Sequence, residues 1–93
     1  MTYKYTQEEE MRLVRLAQQG CTESQNLLVE DNLGRITKLA NKYSKRSVPS
    51  ADLVNEGVIA FIQSIPGFDT NNTHRFYTYA YHKIKLVYFY QLF

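Results

Sequence analysis

The chain has 93 residues, a formal net charge of +2 and one cysteine. That length makes a single domain near the low end of what folds on one core, burying about 60–65% of the surface its unfolded chain exposes. One cysteine excludes an intrachain disulfide, the charge is too small for a purely electrostatic nucleic-acid binder, and no apolar run marks a membrane span or signal peptide, so a soluble cytoplasmic protein is expected.

Helical spacing runs almost throughout. Residues 1–5 are expected to be flexible, and Thr6-Gln7-Glu8-Glu9 then forms a capping box: the Thr6 hydroxyl accepts from the Glu9 amide and Glu9 reaches back. Met11, Leu13, Val14, Leu16 and Ala17 supply a core stripe, and Gly20 is placed to end the helix. Cys21 reads as a small residue in the turn that follows. Thr22 with Gln25 repeats the capping pattern for a helix carrying Leu27 and Leu28, and Asn32 with Gly34 predicts a kink or break. Leu33, Ile36, Leu39, Ala40 and Tyr43 resume an apolar face, opposite a basic stripe of Arg35, Lys42 and Arg46 flanked by Lys38 and Lys45. That stripe fits a solvated face or a set of phosphate contacts equally well.

Ser47–Pro49 is a polar linker, and Ser50 is placed to cap a helix over 51–64, which Pro66-Gly67 terminates. Leu53, Val54, Gly57, Phe61 and Ile65 fall on one side of it; Asp52, Asn55, Glu56, Ile59 and Gln63 fall on the other, a candidate partner surface. Asp69–Thr73 has loop chemistry. A last helix from about Arg75 turns Phe76, Ala80, Ile84 and Val87 inward and leaves Tyr79, Tyr81, His82, Lys83, Lys85 and Tyr88 around its sides and outer surface. The fold class is all-α: one domain over 1–93, a compact bundle of four to five helices.

Catalytic chemistry has little to build on. The two histidines, His74 and His82, lack metal-ligand spacing, and the four glycines form no phosphate loop, so neither an enzyme nor a cofactor or metal is expected. Aromatic content is the outstanding feature: from Phe76 onward eight of eighteen residues are aromatic, interleaved with His82, Lys83 and Lys85. Rings that stack on unpaired bases beside cations that meet phosphates are how single strands are gripped, although several of these rings must also fill a tryptophan-free core.

The strings DLVNEGVIAFI (52–62), GFD (67–69) and RFYTYAY (75–81) closely resemble the second conserved region of the sigma-70 family, whose pattern reads roughly DLIQEGNIGLIKAVEKFD, a short loop, then KFSTYAYWWI. Upstream, Asn32-Leu33-Gly34-Arg35-Ile36 and Ala40-Asn41-Lys42-Tyr43 are similar to the family's NLRLVxxIAxKY segment. The resemblance spans about residues 8–88 in one order and spacing, and implies a sigma-like helical module for transcription initiation. Carried over position by position, it implies that Asp52, Asn55 and Glu56, with Val58, Ile59 and Ile62, bind the clamp helices of the largest (beta-prime) subunit of core RNA polymerase. It implies that Tyr79, with Phe76 and Thr78, captures a flipped base of the minus-ten promoter element, and that Asn32 helps to hold a second unpaired base.

Departures from the pattern are concentrated at the DNA-contacting positions. His82-Lys83 replace a tryptophan pair, Leu86 stands at a common base-reading glutamine, and Arg35 replaces a leucine beside the second base pocket. The expected DNA-binding set is therefore Asn32, Arg35, Lys42, Thr78, Tyr79, His82, Lys83 and Lys85. The final VYFYQLF falls inside a helix that family members continue, and no minus-thirty-five region follows it. This leaves open a fragment of a longer factor, a partner of a second chain carrying that region, and a regulator or decoy that binds polymerase without melting promoters. It also leaves open a plain nucleic-acid-binding domain using the basic stripe.

Overall fold

The computed structural model describes residues 2–71 and 74–92, the side chain of Leu92 excepted. Four helices follow in order: α1 (Gln7–Gln18), α2 (Thr22–Tyr43), α3 (Ser50–Gln63) and α4 (Phe76–Leu92). Among the described residues the only β feature is a tight turn, where Lys45 and Val48 exchange backbone hydrogen bonds of 3.1 and 3.0 Å. The fold class is as expected: among the described residues four helices form an all-α bundle, within the four to five anticipated.

The first helix begins where its capping box places it. Thr6 Oγ accepts from the Glu9 amide at 3.1 Å and Glu9 accepts from the Thr6 amide at 2.8 Å. The Thr6 amide and hydroxyl hold the Glu9 carboxyl below its ordinary range, with Arg12 adding to the effect against a small burial penalty. Gly20, at φ 98°, ends α1 in a left-handed conformation that suits glycine. Cys21 rather than Thr22 occupies the next N-cap, and no side chain caps that helix. At α3, Pro49 takes the N-cap and Ser50 is the first helical residue. Pro49 offers no side-chain cap, and its carbonyl accepts from the Asp52 and Leu53 amides.

Three further sequence expectations are corrected. α2 runs unbroken through Asn32 and Gly34. Asn32 faces the core and donates from Nδ2 to the Leu28 carbonyl at 2.8 Å, so the polar side chain is satisfied within the helix and needs no break. Because Asn32 takes the inward position, Leu33 stands at the edge and is exposed, as is Leu16 on the outer side of α1. The third correction is Tyr88: it is fully buried, not on the outer surface. Its hydroxyl donates to the Leu53 carbonyl at 2.7 Å, and burial pushes its phenol up to about 12, with Tyr77 and Glu56 adding. The expected 69–73 loop has its turn at Asp69–Asn71, where Asp69 Oδ1 accepts from the Asn71 amide. Asn72 and Thr73 of that loop lie outside the described residues, as do Met1 of the N-terminal segment and Phe93 of the tail.

The core is one cluster to which all four helices contribute. Phe61, Phe68 and Phe76 meet edge-on with centroids 5.0 and 5.1 Å apart, and Ile36, Leu53, Ala80, Ile84 and Tyr88 continue it. α3 and α4 approach closely because Gly57 has no side chain. A Cβ there would lie 2.5 Å from Tyr88 Oη and 2.8 Å from Ile36 Cγ2.

This contact predicts a non-additive pair. Gly57→Ala should destabilise the domain by about 1–3 kcal/mol through overpacking, and Tyr88→Phe by about 1 kcal/mol through loss of its hydrogen bond. The double variant, which removes the oxygen that the new methyl meets, should lose less than the sum of the two. Urea unfolding of the four proteins measures the coupling.

Candidate functional site

α3 presents its partner stripe as the spacing requires. Asp52, Asn55 and Ile59 are exposed, Ile59 by 49%, and Glu56 and Ile62 are half-buried along the same side with exposed Gln63 beyond them. Val58 stands off the stripe, half-buried and packed against the core. A neighbouring hollow of about 320 Å³ is lined by Asp52, Asn55 and Glu56 together with Ser47, Val48 and Gln91, so the 45–48 turn and the end of α4 border the stripe. Sequence reasoning missed Gln91. The signal available was its spacing from Tyr88, which becomes useful only once Tyr88 is known to point at Leu53.

The expected DNA-contacting residues divide between two sides of α4. On one side Tyr79 is 42% exposed and packs its ring against Phe68 and Phe76, with centroids 5.2 and 6.3 Å away. Gly67 leaves room for its hydroxyl, since a Cβ there would lie 3.0 Å from Tyr79 Oη. Tyr79, His82 and Lys83 line a hollow of about 370 Å³ with Gln63, Ser64 and Gly67. A ring backed by two phenylalanines and open beside a polar hollow is a fixed platform on which a planar group can stack.

On the other side, α4 faces α2 across a cavity of about 610 Å³ lined by Arg35, Lys38, Leu39, Asn41, Lys42 and Tyr77. Lys85 lies beyond it, with its ammonium 5.3 Å from the Tyr81 ring centroid. No Asp or Glu follows Asp69 in the chain and none lies between Asp31 and Asp52, so this side is basic. Burial raises the Tyr77 phenol above its ordinary value, reinforced by Tyr81 and Tyr3 and opposed by Arg35. Tyr77 is held neutral there, its hydroxyl donating to the Arg35 carbonyl at 3.5 Å. Thr78 is exposed between the two sides. Asn32 reaches neither surface: it is buried, and its Oδ1 accepts from Arg35 Nη1 at 3.3 Å, so it acts on the basic side by holding Arg35.

α4 is positioned by a carboxylate absent from the expected set. Glu10 of α1 is fully buried, accepts the Phe76 amide at 2.8 Å and receives Arg75 Nη1 at 3.2 Å. It supplies negative charge to the first turn of a helix whose sequence has no acid there. Gln18 makes a second tie, donating to the Ile65 and Phe68 carbonyls at 3.0 and 2.8 Å. Among the described residues no three His, Cys, Asp or Glu side chains gather to hold a metal ion, and no helix is long and apolar enough to cross a membrane.

The domain is thus a small helical one with an acid-and-apolar stripe on one helix and a backed, exposed aromatic on the next. The profile of the Sigma-70 region 2 family matches residues 28–88. The RNA polymerase sigma factor RpoS of Coxiella burnetii (strain RSA 493 / Nine Mile phase I) is 32% identical over 72 residues, covering 77% of this chain and 20% of that protein. The chain belongs to the sigma-70 region 2 family, and it spans about a fifth of the length of this curated relative.

The buried carboxylate yields a stability prediction. Glu10→Ala should cost about 3 kcal/mol, since it removes the carboxylate that pairs with Arg75 and leaves the Phe76 amide buried and unpaired. Glu10→Gln keeps an acceptor for that amide and should cost clearly less. Urea unfolding of both variants would contradict this assignment if neither differed from wild type.

Proposed function

We propose that this chain is a sigma-like transcription-initiation module. It docks on core RNA polymerase through α3 and engages the unpaired strand of a minus-ten promoter element through α4. The stripe of exposed Asp52, Asn55 and Ile59, with half-buried Glu56 and Ile62 along the same side, is the observation that carries this reading. Its carboxylates suit arginines on a partner, and its isoleucines supply apolar contact at the centre of a small interface. The resemblance directs this surface to the clamp helices of the beta-prime subunit. Val58, half-buried and packed against the core, flanks the same surface.

On α4, Tyr79 is the stacking platform, Thr78 and His82 flank it, and Lys83 and Lys85 offer phosphate contacts on opposite sides of the helix. Arg35 and Lys42 extend the basic surface along α2, with Asn32 holding Arg35 in place. A second chain bearing a minus-thirty-five-binding domain would complete a split factor of this kind.

One observation favours a second reading, a polymerase-binding regulator that does not open promoters. Where the family carries two tryptophans, His82 offers a smaller ring and Lys83 none, and both are exposed. A lysine cannot wedge against a base pair as an indole can.

The test is a pull-down with purified core polymerase, followed by permanganate footprinting of the promoter bubble. Asp52→Ala with Glu56→Ala should reduce capture at least about tenfold, as expected when hot-spot charges are removed from a small interface. Tyr79→Ala should leave capture unchanged and abolish the footprint. Unimpaired capture by the double variant would overturn the docking assignment. Capture without any footprint from the wild-type chain would select the regulator.

A further inference from the structure

Residues 2–5 precede the first helix, yet they are tied to the bundle at three points. The Lys4 amide donates to Asp31 Oδ1 at 3.0 Å, the Tyr5 carbonyl accepts from Arg75 Nη1 at 2.9 Å, and the Tyr3 ring is packed by two guanidinium groups. Arg35 Cζ lies 3.6 Å from the Tyr3 ring centroid and Arg75 Cζ lies 4.0 Å from it. These are stacking distances. They bring an arginine of α2 and the arginine preceding α4 to a single aromatic ring.

Each guanidinium also has a hold that does not depend on Tyr3. Arg35 donates to the Asp31 carbonyl at 2.9 Å and to Asn32 Oδ1, and Arg75 is paired with buried Glu10. The two planar cations are therefore held by the bundle as well as by the ring in the slot between them. Arg35 and Tyr77 also line the basic cavity of about 610 Å³ beside the slot, along with Lys38 and Lys42. A planar π-system joined to an anionic backbone suits a slot and cavity so arranged, and an unpaired nucleotide within a single strand has both parts.

We infer that Tyr3 is a removable plug: its ring fills a slot between Arg35 and Arg75 that takes an unpaired nucleobase once the N-terminal segment swings away. This rests on the single-strand reading proposed above and adds to it a self-occluded site. The plug is reversible because its closed form carries a cost. With Lys4 bound to Oδ1, the other carboxylate oxygen of Asp31 is buried without a hydrogen-bond partner, which is an unmet desolvation cost in the closed form. The apparent affinity of the slot is its intrinsic affinity multiplied by the fraction of time it stands open.

The experiment is fluorescence anisotropy of a labelled single-stranded oligodeoxynucleotide of roughly ten nucleotides. It is titrated at one fixed salt concentration with the full chain and with Tyr3→Ala, Tyr3→Phe and Arg35→Ala. A plug seated about nine-tenths of the time predicts that Tyr3→Ala binds about tenfold more tightly than wild type. Tyr3→Phe keeps the stacked ring and should behave as wild type, and Arg35→Ala should bind more weakly than either. Tyr3→Ala binding no more tightly than wild type, while Arg35→Ala still loses affinity, would overturn the plug and leave the single-strand reading standing. No binding by any of the four proteins would overturn the slot's ligand and the reading beneath it together.

Discussion

The placement of α4 depends on one buried carboxylate. Glu10 lies on α1, far from α4 in sequence, and gives one oxygen to the Phe76 amide and the other to Arg75. The first of these bonds fixes where α4 starts and the second fixes the arginine just before it. A buried charge is costly unless paired and hydrogen-bonded, and here both conditions hold. The register of every later α4 residue, Tyr79 included, follows from that start. α1 otherwise makes little contact with α4, so its main service to the functional surface is this single side chain.

From that anchor the helix is locked along its length by contacts that double as site architecture. Phe76 joins Phe61 and Phe68 in the core, and the outer faces of Phe68 and Phe76 back the Tyr79 ring. Further along, Tyr88 passes over Gly57 to reach the Leu53 carbonyl, which couples the end of α4 to the start of α3. The α3 stripe and the α4 platform thus belong to one rigid body joined at both ends. Under the proposed docking through α3, the place of Tyr79 would follow from that rigid geometry without any moving part. Such rigidity suits a module whose proposed work is to hold a strand at a fixed place on a larger machine.

Much of this was legible in the residues. The Thr6–Glu9 capping box, the Gly20 stop and the α3 division into a Gly57–Phe61 core side and an Asp52–Ile59 outer side are local patterns, and the structure carries each of them. Judgements that depend on tertiary partners fared less well. Asn32 reads as a helix breaker until the Leu28 carbonyl is seen to satisfy it, and Tyr88 reads as a surface tyrosine until the gap over Gly57 gives its hydroxyl a buried acceptor. Glu10 sits in a run of three acids in the first turn of α1, where all three suit the helix dipole, and nothing local separates it from Glu8 and Glu9. The division of the basic and aromatic residues between two sides of α4 likewise appears only when α2 and the 64–68 segment are in place.

The central claim is that the outer face of α3 is the surface by which this chain meets core RNA polymerase. A photo-crosslinking amino acid placed at Ile59, in the middle of the stripe, tests it most directly, with Leu16 of α1 as an exposed control outside the stripe. Irradiation of each with core polymerase should join position 59, and not position 16, to the largest subunit. Crosslinking from position 16 with none from position 59 would show that polymerase is met through another face, and the account of α3 would be wrong.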